Sequence, residues 1–209
     1  MANTHVVDDP GAVPNSNQIR SIIPRVASNV REDQRGALTG VLDNAARVID
    51  SAAQAMDKKL RGFAFTPQGR ELLASEAVAE ATAMVKLIAD SATKDHRAHR
   101  AALDAELAHV EPINEFRATE IRTLLRDMNR NEREAFIGTA SDPEVLAAIV
   151  HGPRAFPLAS GDATTRALLN YNKAHRPDKV ALRDDADSYV NAVDNFAEMV
   201  TRELRRVLR

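Results

Sequence analysis

The sequence predicts an all-α protein: an elongated helical bundle of long antiparallel helices with a long C-terminal helix. Three observations carry this. Apolar residues recur at alternating steps of four and three along most of the chain, which is the period of one helix face. The composition is rich in Ala, Leu, Glu and Arg, the residues of long helices. Strand signals are missing, with neither alternating runs of Val, Ile and Thr nor an Asn-Gly hairpin turn. A chain of 209 residues can bury roughly 70% of the surface it exposes when unfolded, enough for a real core.

Three segments divide it by composition. Residues 1–17 hold Pro10, Gly11 and Pro14 and almost no large apolar side chains, so they read as a flexible arm that gains order only against a partner. Residues 18–128 read as a long-helix hairpin or bundle. Residues 129–209 read as short helices followed by the long C-terminal helix, packed with the preceding part.

Ile19, Ile22, Ile23 and Val26 are spaced for a short helix that Pro24 interrupts or kinks. Asn29 and Glu32 have the spacing of a capping box opening a longer helix. Its stripe runs through Leu38, Leu42, Ala45, Ile49, Ala52 and Met56, widened by Val41, Val48 and Leu60. Gly62 should close it. Thr66-Pro67 should start a second, antiparallel helix, with a capping residue followed by proline in the first turn. Its expected stripe is Leu73, Ala77, Met84, Ile88 and Ala92. Between Asp90 and Arg100 only alanine is apolar, so the helix either runs on exposed or turns there. Leu103, Leu107 and Val110 resume the period, and Pro112 opens a segment with Ile113, Phe116, Ile121, Leu124, Leu125 and Met128.

Capping-box spacing recurs at Asn131 with Glu134 and at Ser141 with Glu144, the latter with Pro143 suited to a first turn. Gly152, Pro153 and Pro157 break the chain around Phe156, and Asp162 to His175 reads as a helix ended by Arg176-Pro177. From Asp178 onward Leu182, Ala186, Tyr189, Val193, Phe196, Val200, Leu204 and Val207 keep the helical rhythm. The first long helix and the last are each about 40 Å long at 1.5 Å per residue, against a radius of gyration of about 17 Å for a compact globule of this size.

Composition also excludes. Lys and Arg number 28 against 30 Asp and Glu, a net charge of -2, whereas a dedicated nucleic-acid binder normally carries a basic excess. Without cysteine there are no disulfides, thiolate metal sites or Cys nucleophiles. The most apolar stretch, Ala74 to Ala92, is interrupted by Glu76, Glu80, Lys86 and Asp90, so no membrane span is expected. Asp8 and Asp9 stand where a secretory leader would be basic or apolar, so secretion by the usual route is not expected.

The run from Glu120 to Glu134 (EIRTLLRDMNRNERE), followed by Ser141 to Phe156 (SDPEVLAAIVHGPRAF), resembles uncharacterised helical proteins of tailed bacteriophages and prophages. The likeness covers about the second half of the chain: a helix, a capped turn, a second short helix, a Pro-x-x-Phe break and a long last helix. It implies a phage gene product, a virion component, and brings no catalytic residues with it.

Candidate chemistry is sparse. His96 and His99 beside Asp95, and Glu106 with His109, have helical metal-ligand spacing, but a di-iron site needs a second Glu-x-x-His and further inward carboxylates. Exposed side chains in a polar stretch are the better reading. The pairs Glu76/Glu80 and Glu111/Glu115 and the cluster Asp184, Asp185 and Asp187 read as solvated helix faces, the last placed in early turns of the final helix where acids favour its dipole. No nucleophile elbow, Walker loop, dinucleotide fingerprint or His-Glu-x-x-His occurs. Arg202, Arg205, Arg206 and Arg209 form one stripe opposite Val200, Leu204 and Val207. They are candidates for contact with phosphate or an acidic partner, although a solvated face with Glu198 paired to Arg202 explains them too.

The expectation is a non-enzymatic structural or interaction protein without a cofactor, a homo-oligomer whose partners are copies of itself and other virion proteins. It would sit in the virion, first at a head-tail connector, and in the host cytoplasm before assembly. The alternative is a nucleic-acid packaging or regulatory protein that uses the arginine stripe.

Overall fold

The computed structural model describes residues 19–62, 66–153 and 157–206, and among these described residues eight helices make up most of the structure. They are α1 (Ile23–Ala27), α2 (Glu32–Gly62), α3 (Pro67–Ala108), α4 (Glu115–Asp127), α5 (Arg130–Thr139), α6 (Pro143–Val150), α7 (Gly161–His175) and α8 (Pro177–Arg206). The described residues contain no strand, so the chain is all-α as its sequence predicts. None of the described helices is long and apolar enough to cross a membrane. The arm read at residues 1–17, Phe63, Phe65, Phe156 and Val207 lie outside the described residues.

The chain forms two compact units, which divide it elsewhere than at residue 128. One takes the chain up to Ala98 together with the part from Asp185 onward; the other is His99–Asp184. The boundaries fall inside α3 and α8, each of which contributes to both units.

The first unit is built from long stripes. Leu38, Leu42, Ala45, Ile49 and Met56 of α2 are buried, with Ala52 partly so, as the spacing predicts. Ala186, Tyr189, Val193, Phe196, Val200 and Leu204 of α8 are buried as well, while Leu182 is exposed. Full burial of such a Leu, Ile, Val or Phe contributes about 1.5–3 kcal/mol. Ile19, Ile23, Ala27 and Val30 complete the core. Pro24 does not kink α1; it occupies the first turn, where no N–H is needed.

On α3 the stripe is displaced by one residue from the expected one. Ala74, Val78, Ala81, Val85, Ala89 and Thr93 are buried, whereas Met84 is exposed and Leu73, Ala77, Ile88 and Ala92 lie at the edge. Small side chains let the helices approach, and a face of Ala and Val is chosen over one bearing Leu and Met. The helix also does not turn between Asp90 and Arg100, but continues to Ala108.

The second unit packs short helices around Val110, Ile121, Leu125, Ile137, Leu146, Leu158, Ala163 and Ala167. Its N-caps differ by one or two residues from those expected. Asn129, not Asn131, caps α5, accepting from the Glu132 N–H at 3.0 Å. Asp142, not Ser141, caps α6, accepting from the N–H groups of Glu144 and Val145, and Pro143 follows in the first turn. At the start of α2 the register shifts too: the helix begins at Glu32, with the Arg31 carbonyl accepting from Gln34 and Arg35.

Candidate functional site

In the second unit, nearly every helix end is satisfied by a side chain. The first four N–H groups and last four carbonyls of each helix lack intrahelical partners, and a unit of short helices has many such ends. Asn114, Asn129, Asp142 and Ser160 cap the N-termini of α4 to α7. At the C-terminal ends, Asn172 Nδ2 donates to the Leu107 carbonyl at 2.9 Å and Arg176 Nη1 to that of Glu106 at 2.9 Å. Arg133 reaches Leu125, Asn170 reaches Gly138, and Arg122 Nε donates to the Ala148 carbonyl at 3.0 Å. His151 Nε2 lies 2.8 Å from the Val110 carbonyl; a carbonyl only accepts, so this nitrogen carries the hydrogen.

Arg122 is the buried charge of this unit, its side chain only 7% exposed. Besides the Ala148 carbonyl it binds Glu115 Oε1 at 2.7 Å, and that contact holds the Glu115 carboxyl below its ordinary pKa. A Cβ on Gly152 would stand 3.1 Å from the Ala148 and Ile149 carbonyls and 3.7 Å from Arg122 Nε, so glycine lets the chain leave α6 closely over the guanidinium. Sequence spacing gives no sign of this arrangement, because its partners are 26 residues apart.

The sequence's titratable candidates are drawn into structural contacts. Among the described residues no three His, Cys, Asp or Glu side chains are placed to hold a metal. His96 stacks on Tyr189, ring centroids 3.9 Å apart, and burial pushes the Tyr189 phenol up. Glu106 pairs with Lys179, which holds its carboxyl below the ordinary range; His109 instead lies 3.1 Å from Glu111. Asp184 binds Arg183, Asp185 binds Arg31 and Asp187 accepts from Asn191. α8 begins at Pro177, so these three acids fall in its second and third turns, and Asp178 is the acid of the first turn.

The remaining acidic pair stands apart. Glu76 and Glu80 line a groove of about 240 Å³ between α2 and α3 in the first unit, whose apolar walls include Val48, Ala52, Met56, Leu73 and Met84, with Lys59 at one side. Neither glutamate has a hydrogen-bond or ion-pair partner among the described residues. On the same helix Leu72 is 63% and Leu87 64% exposed. Of the arginine stripe, Arg202 is exposed, and its expected pairing with Glu198 is not formed; an exposed pair of this kind is worth only about 0.3–0.5 kcal/mol. The side chains of Arg205, Arg206 and Arg209 lie outside the described residues. The second unit also presents large apolar residues, with Phe116 75% and Leu124 64% exposed two turns apart on α4. The sequence reading missed the groove because it depends on two helices placed side by side. Comparison with family models, curated proteins and solved structures finds no match to this chain.

Proposed function

We propose that this chain is a non-enzymatic structural or interaction protein that works by helical packing against copies of itself and other proteins. The observation that carries the reading is the apolar surface left open on α3, where Leu72, Met84 and Leu87 are exposed beside an apolar-walled groove. Large apolar side chains exposed around an apolar-walled groove suit a surface that packs against another helix.

In its finer form, the proposal is a component of a tailed-phage virion, first of all a ring subunit at the head-tail junction. That form rests on the resemblance of residues 120–156 to phage-encoded helical proteins and on analogy of architecture. Two measurements test the two levels. Light scattering on the purified full chain should give a mass that rises with concentration above that of one copy; a single-copy mass up to millimolar concentration overturns self-packing. Mass spectrometry of purified virions from a phage encoding the chain should find it in multiple copies per particle, and its absence there removes the virion form.

A further inference from the structure

Exposed large apolar side chains are distributed unequally between the two units. In the second, Phe116 and Leu124 stand on α4, Phe136 on α5, Val150 on α6, Leu169 on α7 and Leu182 on α8, scattered as is ordinary on a protein surface. In the first, those among the described residues are Leu72, Met84 and Leu87, and all of them are on α3. They share one side of it. Leu73, Glu80, Leu87 and Lys94 recur every seven residues, two helical turns, so they form a line down the helix with Leu72 and Met84 flanking it. The stripe that α3 buries, through Ala74, Val78, Val85 and Ala89, is on the other side. Glu80, Leu87 and Lys94 are exposed, and neither Glu80 nor Lys94 has a hydrogen-bond or ion-pair partner among the described residues. The whole line lies within the first unit.

We infer that this face of α3 is a two-fold interface: a second copy of the chain lays the same face of its α3 against it, antiparallel, with Leu87 of both copies at the axis and Glu80 of each opposite Lys94 of the other. This rests on the self-packing reading above and names the surface that performs it. The order of side chains along the line selects both the partner and the register. Glu80 and Lys94 stand seven residues before and seven after Leu87, so an antiparallel pair centred there opposes unlike charges twice and leucine to leucine once. Ala83 falls opposite Ser91, small against small, which lets the axes approach. A parallel pair would set Glu80 on Glu80 and Lys94 on Lys94, and centring on either of those residues would bring like charges together at the axis, which opposes association. Lys94 enters by its place in the line and not by its exposure. Lys86 is exposed too, but it adjoins Leu87 in sequence and so points about 100° away round the helix. Asp90, at the edge of the same face, is engaged by Arg97 of its own copy. Leu73 and Met84 also wall the groove beside α2, which extends the apolar surface open to the incoming helix. An interface of this kind is self-complementary and closes at two copies.

Charge reversal and crosslinking on the full chain test this. Glu80→Lys alone and Lys94→Glu alone each place like charges at both contacts, and should weaken association about tenfold at low salt by sedimentation velocity. The two substitutions together in one chain re-form both pairs in reverse and should return association to near that of the parent. Leu87→Asp puts two carboxylates at the axis and should abolish association. Glu80, Leu87 and Lys94 are exposed, so helicity and melting should stay near those of the parent in every variant. The chain has no cysteine, so an introduced one is the only thiol available to a short bismaleimide. Leu87→Cys should be joined to its own copy. Glu76→Cys should not, because in the antiparallel pair the two copies of residue 76 are about 33 Å apart along the axis.

Association that Leu87→Asp leaves unchanged, or a double variant that stays as weak as the single ones, overturns the inference and leaves self-packing standing through another surface. Crosslinking at residue 76 as ready as at residue 87 means a parallel pair and overturns it as well. A parent that stays single-copy at every concentration overturns the inference and the self-packing reading together, and the α3 face then belongs to a different protein.

Discussion

The two compact units solve the same backbone problem in opposite ways. The first uses few, long helices: α2 alone runs 31 residues, so few helix ends need satisfying, and order comes from continuous stripes of Leu, Val, Ile and Ala. Its polar contacts between distant segments are side chain to side chain, as in Arg20 with Asp50, Arg31 with Asp185 and Arg97 with Asp194. The second uses short helices with many ends, and beside side-chain pairs such as Arg117 with Glu144 and Lys179 with Glu106 several of its polar side chains go to main-chain groups, a use not seen between distant segments among the described residues of the first. Exposed ion pairs are worth at most about 1 kcal/mol each, whereas a buried carbonyl left bare costs about 1–3 kcal/mol. Stability in the first unit should therefore depend on volume, and in the second on hydrogen bonds.

The largest expected effect is in the first unit. Phe196 is 2% exposed in its core, and Phe196→Ala should cost about 3–5 kcal/mol through lost burial and the cavity left behind. Arg202→Ala, on an exposed position of the same helix, should stay within about 0.5 kcal/mol. Urea denaturation followed by circular dichroism measures both, and equal effects would mean that the buried face of α8 has been misplaced. Next in size is Arg122→Ala in the second unit, expected to cost about 2–3 kcal/mol by stripping the Ala148 carbonyl and the packed stem. Arg122→Lys should recover little, because an ammonium lacks the fork that meets Glu115 and the carbonyl together. Hydrogen exchange should localise the loss to α4 and α6; a loss spread evenly over the first unit would break the contrast.

How much of this was legible in the sequence follows the same division. On α2 and α8 large apolar residues occupy one face only, so period alone locates the core. On α3 alanine fills both the buried and the flanking positions, and the period is carried by residues too alike to choose between. The stripe read there through Leu73 and Met84 consequently fell one residue away from Ala74 and Val85. In the second unit Asn129 and Asn131, or Ser141 and Asp142, are neighbouring residues that can both cap, and the choice is made by where the preceding chain arrives. Contacts such as Arg122 to Ala148 or Asn172 to Leu107 join residues 26 and 65 positions apart, with no local signal at all. Of the arginine stripe, Arg202 alone lies among the described side chains, and it is exposed. The groove could not be read from spacing, since it exists only between two helices.

A smaller effect separates the two caps proposed for α6. Asp142 accepts from two N–H groups through one oxygen, at 2.8 and 3.1 Å, and Asp142→Ala should cost about 1 kcal/mol. Ser141→Ala should cost a few tenths of a kcal/mol at most, as its side chain makes no hydrogen bond to the first turn of the helix. The difference between the two, measured by denaturation, tests whether the structure or the capping-box spacing locates this helix start.

The smallest effect is a titration. Glu134 accepts from both the N–H and the hydroxyl of Ser160, at 2.8 and 2.6 Å, and these bonds hold its carboxyl below the ordinary range, the hydroxyl being the larger cause. A carboxylate whose pKa is lower folded than unfolded releases its proton more readily in the native state, so the unfolded chain binds more protons between the two values. The bond's contribution is complete above the ordinary carboxylate range and is lost as pH falls through the folded pKa. Ser160→Ala removes the hydroxyl but leaves the backbone N–H, so the Glu134 pKa should rise part of the way back and the acid limb of the stability curve should flatten. Carboxyl chemical shifts followed by NMR from pH 2 to 7 read the pKa in both proteins. If Glu134 titrates at its ordinary value in the parent and does not move in the variant, then this contact between α5 and the start of α7 is not made in solution, and short-helix ends in the second unit are held by packing as they are in the first.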